Sequence, residues 1–209
     1  MNTVNNRPYH HGRLREELVR IAVELAAEGG PEAIVMREAA RRAGVSPSAA
    51  YRHFSGQEEL RGAVYKATSD ALATCMEESI ARLPGDATAL DRLEAASEGY
   101  FTFAEEQQDL YRAFSRKQSD MPFVPERQAY GPFGLLCSLV SAARPEADDE
   151  TVFALSVVLW SAVHGFAALC TTGILQQLPE EWKREMLPEI VAPALRSIAD
   201  GAAREVATR

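Results

Sequence analysis

Cysteine is scarce. Cys75, Cys137 and Cys170 stand far apart, in none of the paired spacings that zinc or redox centres use, and read as buried cytosolic thiols. Strand-like alternation, internal repeats and low-complexity runs are also missing, which leaves helical spacing along nearly the whole chain and an all-α fold class. The N-terminus has no apolar core of the secretory kind, so the expected location is the cytoplasm. Charge is absent from Thr151 to Pro179, a span long enough to raise the question of a membrane crossing. Ser156, Ser161, His164, Thr171 and Gln176 interrupt it, and acids flank both ends (Asp148, Asp149 and Glu150; Glu180 and Glu181) where an anchor would carry Lys or Arg. The expectation is therefore no membrane partner: a helix this apolar in a soluble chain is covered by other helices or by a second subunit.

Basic residues are the minority, 22 Lys and Arg against 30 Asp and Glu, for a formal net charge of -8. So acidic an average would repel phosphate, which excludes a protein that coats nucleic acid with its whole surface but allows a local basic face. Residues 1–56 hold eight Arg and six Glu, net +2, so residues 57–209 carry -10. Between residues 37 and 57 the one acid is Glu38, against Arg37, Arg41, Arg42 and Arg52. The asymmetry points to a contact surface near the N-terminus.

Apolar periodicity predicts about nine helices. The first covers about Arg13 to Glu28, with Leu14, Leu18, Ile21, Ala22 and Leu25 as its stripe, and stops at Gly29-Gly30-Pro31. A short second helix covers Met36 to about Ala43, preceded by Val35, which cannot cap it. Gly44 suits the left-handed position that ends a helix, with Val45 as the accompanying apolar contact. Ser46 is an N-cap and Pro47 the first helical residue of a third helix. Ser55 and Glu58 match a capping box that opens a long fourth helix, with Leu60, Val64, Ala67, Ala71 and Cys75 as its stripe. Later helices are expected at about Thr88–Glu106, Asp109–Lys117, Arg127–Ala143, Asp149–Leu175 and Glu180–Glu205, the last kinked or split by Pro188 and Pro193. The division this suggests is a head of residues 1–56 and a helical domain of residues 57–209, joined by the fourth helix (about 57–82).

Two short helices across a glycine turn make a helix-turn-helix if the second can enter a major groove. Ala39, Ala40 and Ala43 give the first a small face to pack across; Val45, Ala50 and Phe54 face inward, leaving Pro47, Ser48, Ala49, Tyr51, Arg52 and His53 for the outside. An ordinary corner between core helices is the bland alternative, but turn, cap, small face and local positive charge together favour DNA. Arg52 and Tyr51 are expected to hold phosphates while Ser48 and Ala49 approach base edges. An N-terminal arm could reach the minor groove through Arg7 or Arg13, or be a disordered tail.

From Tyr9 to Leu60 the chain resembles the TetR-type transcriptional repressors, and "WSAVHGFAAL" (Trp160 to Leu169) is similar to a Trp-His-Gly element found in one subgroup of them. The resemblance implies a homodimeric, ligand-responsive repressor whose third helix reads an inverted-repeat operator on double-stranded DNA. It places Pro47, Ser48 and Ala49 at base-reading positions, Tyr51 and His53 at backbone contacts, and Arg37 near the backbone. Gln57 stands where many members have a phosphate-clamping Lys. The full DNA-contacting set is Arg37, Ser46, Pro47, Ser48, Ala49, Tyr51, Arg52, His53 and Gln57.

A repressor of the kind the resemblance implies needs a reason to release DNA, and a cavity for a small apolar effector would supply one. Phe101, Phe114, Phe123, Phe133, Trp160 and His164 are its candidates, along with Phe103, Met121, Tyr130 and Phe166, although core packing explains each one singly. His164 is either a polar handle for that effector or a satisfied core histidine. Leu159, Val163, Cys170, Leu195 and Ile198 are the dimer candidates, by resemblance of the last two helices to the family's dimer bundle. No catalytic constellation or metal-ligand spacing is found, so neither cofactor nor enzyme activity is expected. A helical protein-interaction module without DNA binding is the rival reading.

Overall fold

The computed structural model describes residues 13–118 and 131–200, and among them there are nine α-helices and no strand. The all-α expectation holds. α1 (Leu14–Gly29) buries Leu14, Leu18, Ile21, Ala22 and Leu25, as its stripe predicts, and ends at Gly30, whose φ of 79° favours glycine. A 3₁₀ turn (Pro31–Ala33) leads to α2 (Met36–Arg42), which starts at Val35 with no side-chain cap. Gly44 has φ 69° and its N–H donates to the Arg41 carbonyl, while Val45 N–H reaches back to Ala40, closing α2 as a Schellman motif. α3 (Pro47–Ala50) follows at once, with the Ser46 hydroxyl accepting the Ala49 N–H at 3.3 Å. Both the turn and the cap match the sequence reading, because both are made by neighbours in the chain.

α4 (Gln57–Ala81) departs from expectation at its start. Its N-cap is Gly56, which has no side-chain cap, so the expected Ser55–Glu58 box does not form; Ser55, one residue earlier, instead donates its N–H and hydroxyl to Glu59 Oε2 at 2.7 and 2.8 Å. Starting the helix one residue later puts Glu59 at the third helical position and turns Glu58 toward Arg61. The buried stripe also drifts, to Leu60, Val64, Thr68, Leu72 and Met76, leaving Ala67, Ala71 and Cys75 half-buried. Thr68 tolerates burial because its hydroxyl donates to the Tyr65 carbonyl.

α5 (Ala89–Glu106) is opened by a complete capping box between Thr88 and Asp91. It crosses α4 closely: a Cβ on Gly99 would lie 2.5 Å from the Cys75 carbonyl oxygen and 2.7 Å from Met76 Cα. α6 (Gln108–Gln118), α7 (Gly131–Ala143), α8 (Asp149–Thr171) and α9 (Glu180–Asp200) complete the described fold. α8 stops at Thr171, short of Leu175. α9 runs unbroken through Pro188 and Pro193. Both prolines lie on exposed turns, where water can serve the carbonyls four residues earlier, and burial of Leu187, Val191, Ala194 and Ile198 holds the other side.

The buried side chains fall into two clusters. One joins α1, α2 and α3 to Leu60 and Val64 of α4 and Ala113 of α6; the other runs from Leu72 and Met76 through α5, α7, α8 and α9. α4 therefore contributes its first half to the head and its second half to the C-terminal core. All three cysteines are free, but only Cys170 is buried; Cys75 and Cys137 are half-buried.

Candidate nucleic-acid interface and aromatic core

α3 has two sharply different sides. Ala50 and Phe54 are buried at 0% and 1% exposure, whereas Ser46, Pro47, Ser48 and Arg52 are exposed and Tyr51 is 49% exposed. His53 and Gln57 are half-buried at the edge of that surface. Ala49 corrects the sequence reading. At 9% exposure it packs into the head core, so its methyl faces α1 and α2's cluster rather than a base edge. It belongs to the same head cluster as Ala50 and as Met36, Ala39 and Ala40 of α2.

Ion pairing divides the local arginines. Arg41 lies 2.7 Å from Glu38, and Arg42 pairs with Glu38 at 3.0 Å and with Glu28 at 2.7 Å. Hydrogen bonds from Arg41 and then Arg42 hold the Glu38 carboxyl down to about 2, so it stays charged and balances them. Arg37 and Arg52 are exposed and make no ion pair with any described residue. Arg37 also occupies the first turn of α2, where a cation opposes the helix dipole, so its charge does not serve the helix.

The exit from α3 is tied down. Arg15 of α1 stands 4.7 Å over the Phe54 ring and 3.9 Å from Glu59, whose carboxyl is lowered chiefly by the bond from the Ser55 backbone. Arg61, only 15% exposed, joins α4 to the 3₁₀ turn through Glu32. These links fix the direction of α3 relative to α4. The expected arm, with Arg7, lies outside the described residues; Arg13 is exposed just before α1.

A second constellation is centred on His164. The Tyr100 hydroxyl lies 2.6 Å from His164 Nδ1, the Tyr111 hydroxyl donates to the His164 carbonyl at 3.4 Å, and Trp160 stacks on the imidazole at 6.2 Å. Burial lowers the His164 pKa and raises that of Tyr100, so both are neutral near pH 7. Tyr100 then donates to Nδ1, an assignment that leaves the imidazole proton on Nε2. Phe133 continues the cluster, 5.5 Å from Trp160. Phe101 instead stacks on Phe166 at 5.3 Å as core packing, and Phe103 is fully buried. Phe123, Met121, Tyr130 and the side chain of Phe114 lie outside the described residues. Tyr100 and Tyr111 were missed by the sequence reading. The available signal was a tyrosine on the apolar stripe of α5, whose hydroxyl needs a partner, and a lone histidine on α8 that needs the same.

The dimer candidates require correction. Leu159, Val163, Cys170 and Ile198 are at most 3% exposed within one chain, and Leu195 packs partly against the same core. What α8 exposes is the opposite face, with Val157 at 38%, Val158 at 51% and Leu169 at 43%, while α9 exposes Met186 and Ile190 at 37% each. α8 is long and apolar enough to cross a membrane by length and composition, yet Val152, Leu155, Leu159, Val163, Phe166 and Cys170 along it are buried against the rest of the chain.

Comparison with known proteins decides what kind of head this is. Residues 18–64 match the family model for bacterial regulatory proteins of the tetR family, and residues 93–192 match a tetracyclin repressor-like C-terminal domain. The chain belongs to the TetR family of transcriptional regulators. It is 25% identical over 167 residues to an uncharacterized HTH-type transcriptional regulator of Mycobacterium tuberculosis, covering 78% of this chain and 73% of that protein. It is 35% identical over 98 residues to the HTH-type transcriptional activator FasR of Mycolicibacterium smegmatis, covering 47% of this chain and 43% of FasR. A structure of a protein of unknown function from Rhodococcus sp. RHA1 superposes with a TM-score of 0.69 at 24% identity, covering 95% of this chain and all of that one. As a TetR regulator the chain pairs a helix-turn-helix with a helical C-terminal domain.

Proposed function

We propose that this TetR regulator is a cytoplasmic, ligand-responsive repressor that binds an inverted-repeat operator as a homodimer. The observation that carries the reading is the outer side of α3: Pro47, Ser48, Tyr51 and Arg52 stand clear of the core, and Arg52 has no ion-pair partner among the described residues. In the complex Ser48 approaches base edges, Pro47 keeps the helix start slim, Arg52, Tyr51 and Arg37 meet phosphates, and Ser46, His53 and Gln57 border the contact. The functional division follows residues 1–56 and 57–209, with α4 as the link. Two copies join through the exposed faces of α8 and α9, which sets the paired heads about 34 Å apart or a multiple of it.

The effector is a small apolar molecule bounded by Phe133, Trp160 and His164, with the His164 Nε2–H as the donor available to it. It weakens DNA binding by favouring a conformation in which the heads are wrongly spaced. From Met76 to Gln57 α4 spans about 28 Å, so a tilt of about 10° moves the head by about 5 Å. An activator is the second reading, favoured by the 35% identity to the activator FasR.

The test is selection of bound sequences from a random DNA pool, followed by electrophoretic shift of the recovered site. Inverted half-sites, with binding abolished by Tyr51→Ala and by high salt, support the proposal; no shift at low salt overturns it. Val158→Asp should convert a dimer into a monomer in light scattering, and an unchanged mass would remove α8 from the interface. Reporter expression in a deletion strain separates repressor from activator.

A further inference from the structure

Between α1 and α4, with α6 at one end, lies an open cleft of about 870 Å³. That is within the range of about 300–1,000 Å³ typical of small-molecule sites. It is separate from the His164 cluster. Its floor is Val19 and Val23 of α1, Gly62, Ala63 and Ala67 of α4, and Leu110 of α6. Gly62 is the informative member. A glycine within an exposed stretch of helix weakens it relative to alanine, yet a Cβ at this position would meet nothing within 4 Å. Gly62 is exposed, and no side chain narrows the cleft on this part of α4.

The rim selects the chemistry. Arg15 pairs with Glu59, Arg20 with Glu17 and Glu24, and Lys66 with Asp70. Each cation on the rim is thus already matched by a carboxylate, so the rim offers an ionised acid no unpaired charge, though exposed pairs of this kind cost little to break. Glu16, also on the rim, adds a negative charge that disfavours anions further. Small residues on the α4 side leave a flat floor, and the aliphatic stems of Arg15, Arg20 and Lys66 can flank a ring.

We propose that this cleft is a second ligand site, for a compact, flat, uncharged apolar molecule. Its walls belong to the helices that connect the two cores: α1 lies in the head cluster, α4 belongs to both, and α6 packs against the head through Leu110 and Ala113. A molecule seated there touches the joint itself, so its binding is linked to the setting of the head. That regulatory half rests on the DNA-binding reading above; the binding half does not.

The test uses the full chain and Nile red, an uncharged flat dye. The expected result is saturable fluorescence at one site per chain, weakened at least tenfold by Gly62→Leu, which fills the floor. The same variant should keep its helicity and lose no thermal stability, since the added side chain enters open space. Ala67→Leu supplies an independent plug. A titration unchanged by both plugs, or no saturable response from the full chain, overturns the proposal. Linkage requires that the dye change operator affinity by the same factor that operator changes dye affinity; equal dye affinity with and without bound operator overturns the regulatory half. Dye binding that is lost in Gly62→Leu while no DNA is bound by the parent protein upholds the cleft and refutes the operator reading instead.

Discussion

Four arginines border α3, and their ion pairs divide them into two that are engaged and two that are free. Arg41 and Arg42 already face Glu38 and Glu28, whereas Arg37 and Arg52 pair with no described carboxylate. On the proposed mode of binding, replacing Arg52 by Ala should remove one phosphate contact from each head, hence two from the proposed dimer on its operator. Each contact contributes about 0.9 to the slope of log affinity against log salt, so the slope should flatten by about 1.8. Across a fourfold rise in salt, from about 50 to about 200 mM, the deficit of the variant should shrink by about tenfold. Arg41→Ala removes a charge that Glu38 balances, and its slope should change by less than half as much. The assay is fluorescence anisotropy of a labelled operator at several salt concentrations. An unchanged slope in Arg52→Ala, or an equal effect of Arg41→Ala, would refute the division of charges.

Four further outcomes follow from packing and burial. Gly99→Ala must push α5 off the α4 backbone; overpacking of this kind costs about 1–3 kcal/mol, or about 2–12 °C in Tm for a chain this size, and Gly165→Ala, where a Cβ meets nothing within 4 Å, should cost nothing by the same calorimetry. Tyr100→Phe strips the donor from His164 Nδ1 and should cost about 1–3 kcal/mol in urea unfolding at pH 7.5, with unchanged stability in Tyr100→Phe counting against the bond. Because burial lowers the folded pKa of His164 below its ordinary 6.5, the unfolded chain takes up the proton first, so wild-type stability should fall as pH drops below about 6.5 and His164→Gln should flatten that arm. Glu105 is the opposite case. Its side chain is 11% exposed beside Arg184, and burial raises its pKa, so its contribution is fully present below its ordinary 4.5 and is lost as pH rises through the folded value. Glu105→Gln should therefore gain stability relative to wild type at pH 8 compared with pH 4; the reverse trend would mean the Arg184 pair outweighs burial.

The local features were legible in the sequence because neighbours in the chain make them. Gly44, Ser46 and Pro47 act on residues no more than four or five positions away, and each stands in the structure as its chemistry predicts. Glu59 in place of Glu58, and Thr68, Leu72 and Met76 in place of Ala67, Ala71 and Cys75, are errors of one residue. They arise where several residues satisfy the same spacing and the packing partner decides which one turns inward.

The composition and order of the residues alone determined an all-helical chain with a capped, glycine-turned pair of short helices and a positive bias at one end. Tertiary structure alone decided which side of α8 meets its own core and which stays exposed, since a helix apolar nearly all round has no preferred face. It likewise decided that Arg42 meets Glu28 fourteen positions away and that His164 meets Tyr100 across sixty-four. Pairings of that kind depend on how helices lie against one another, and no periodicity within a single helix encodes the position of the next.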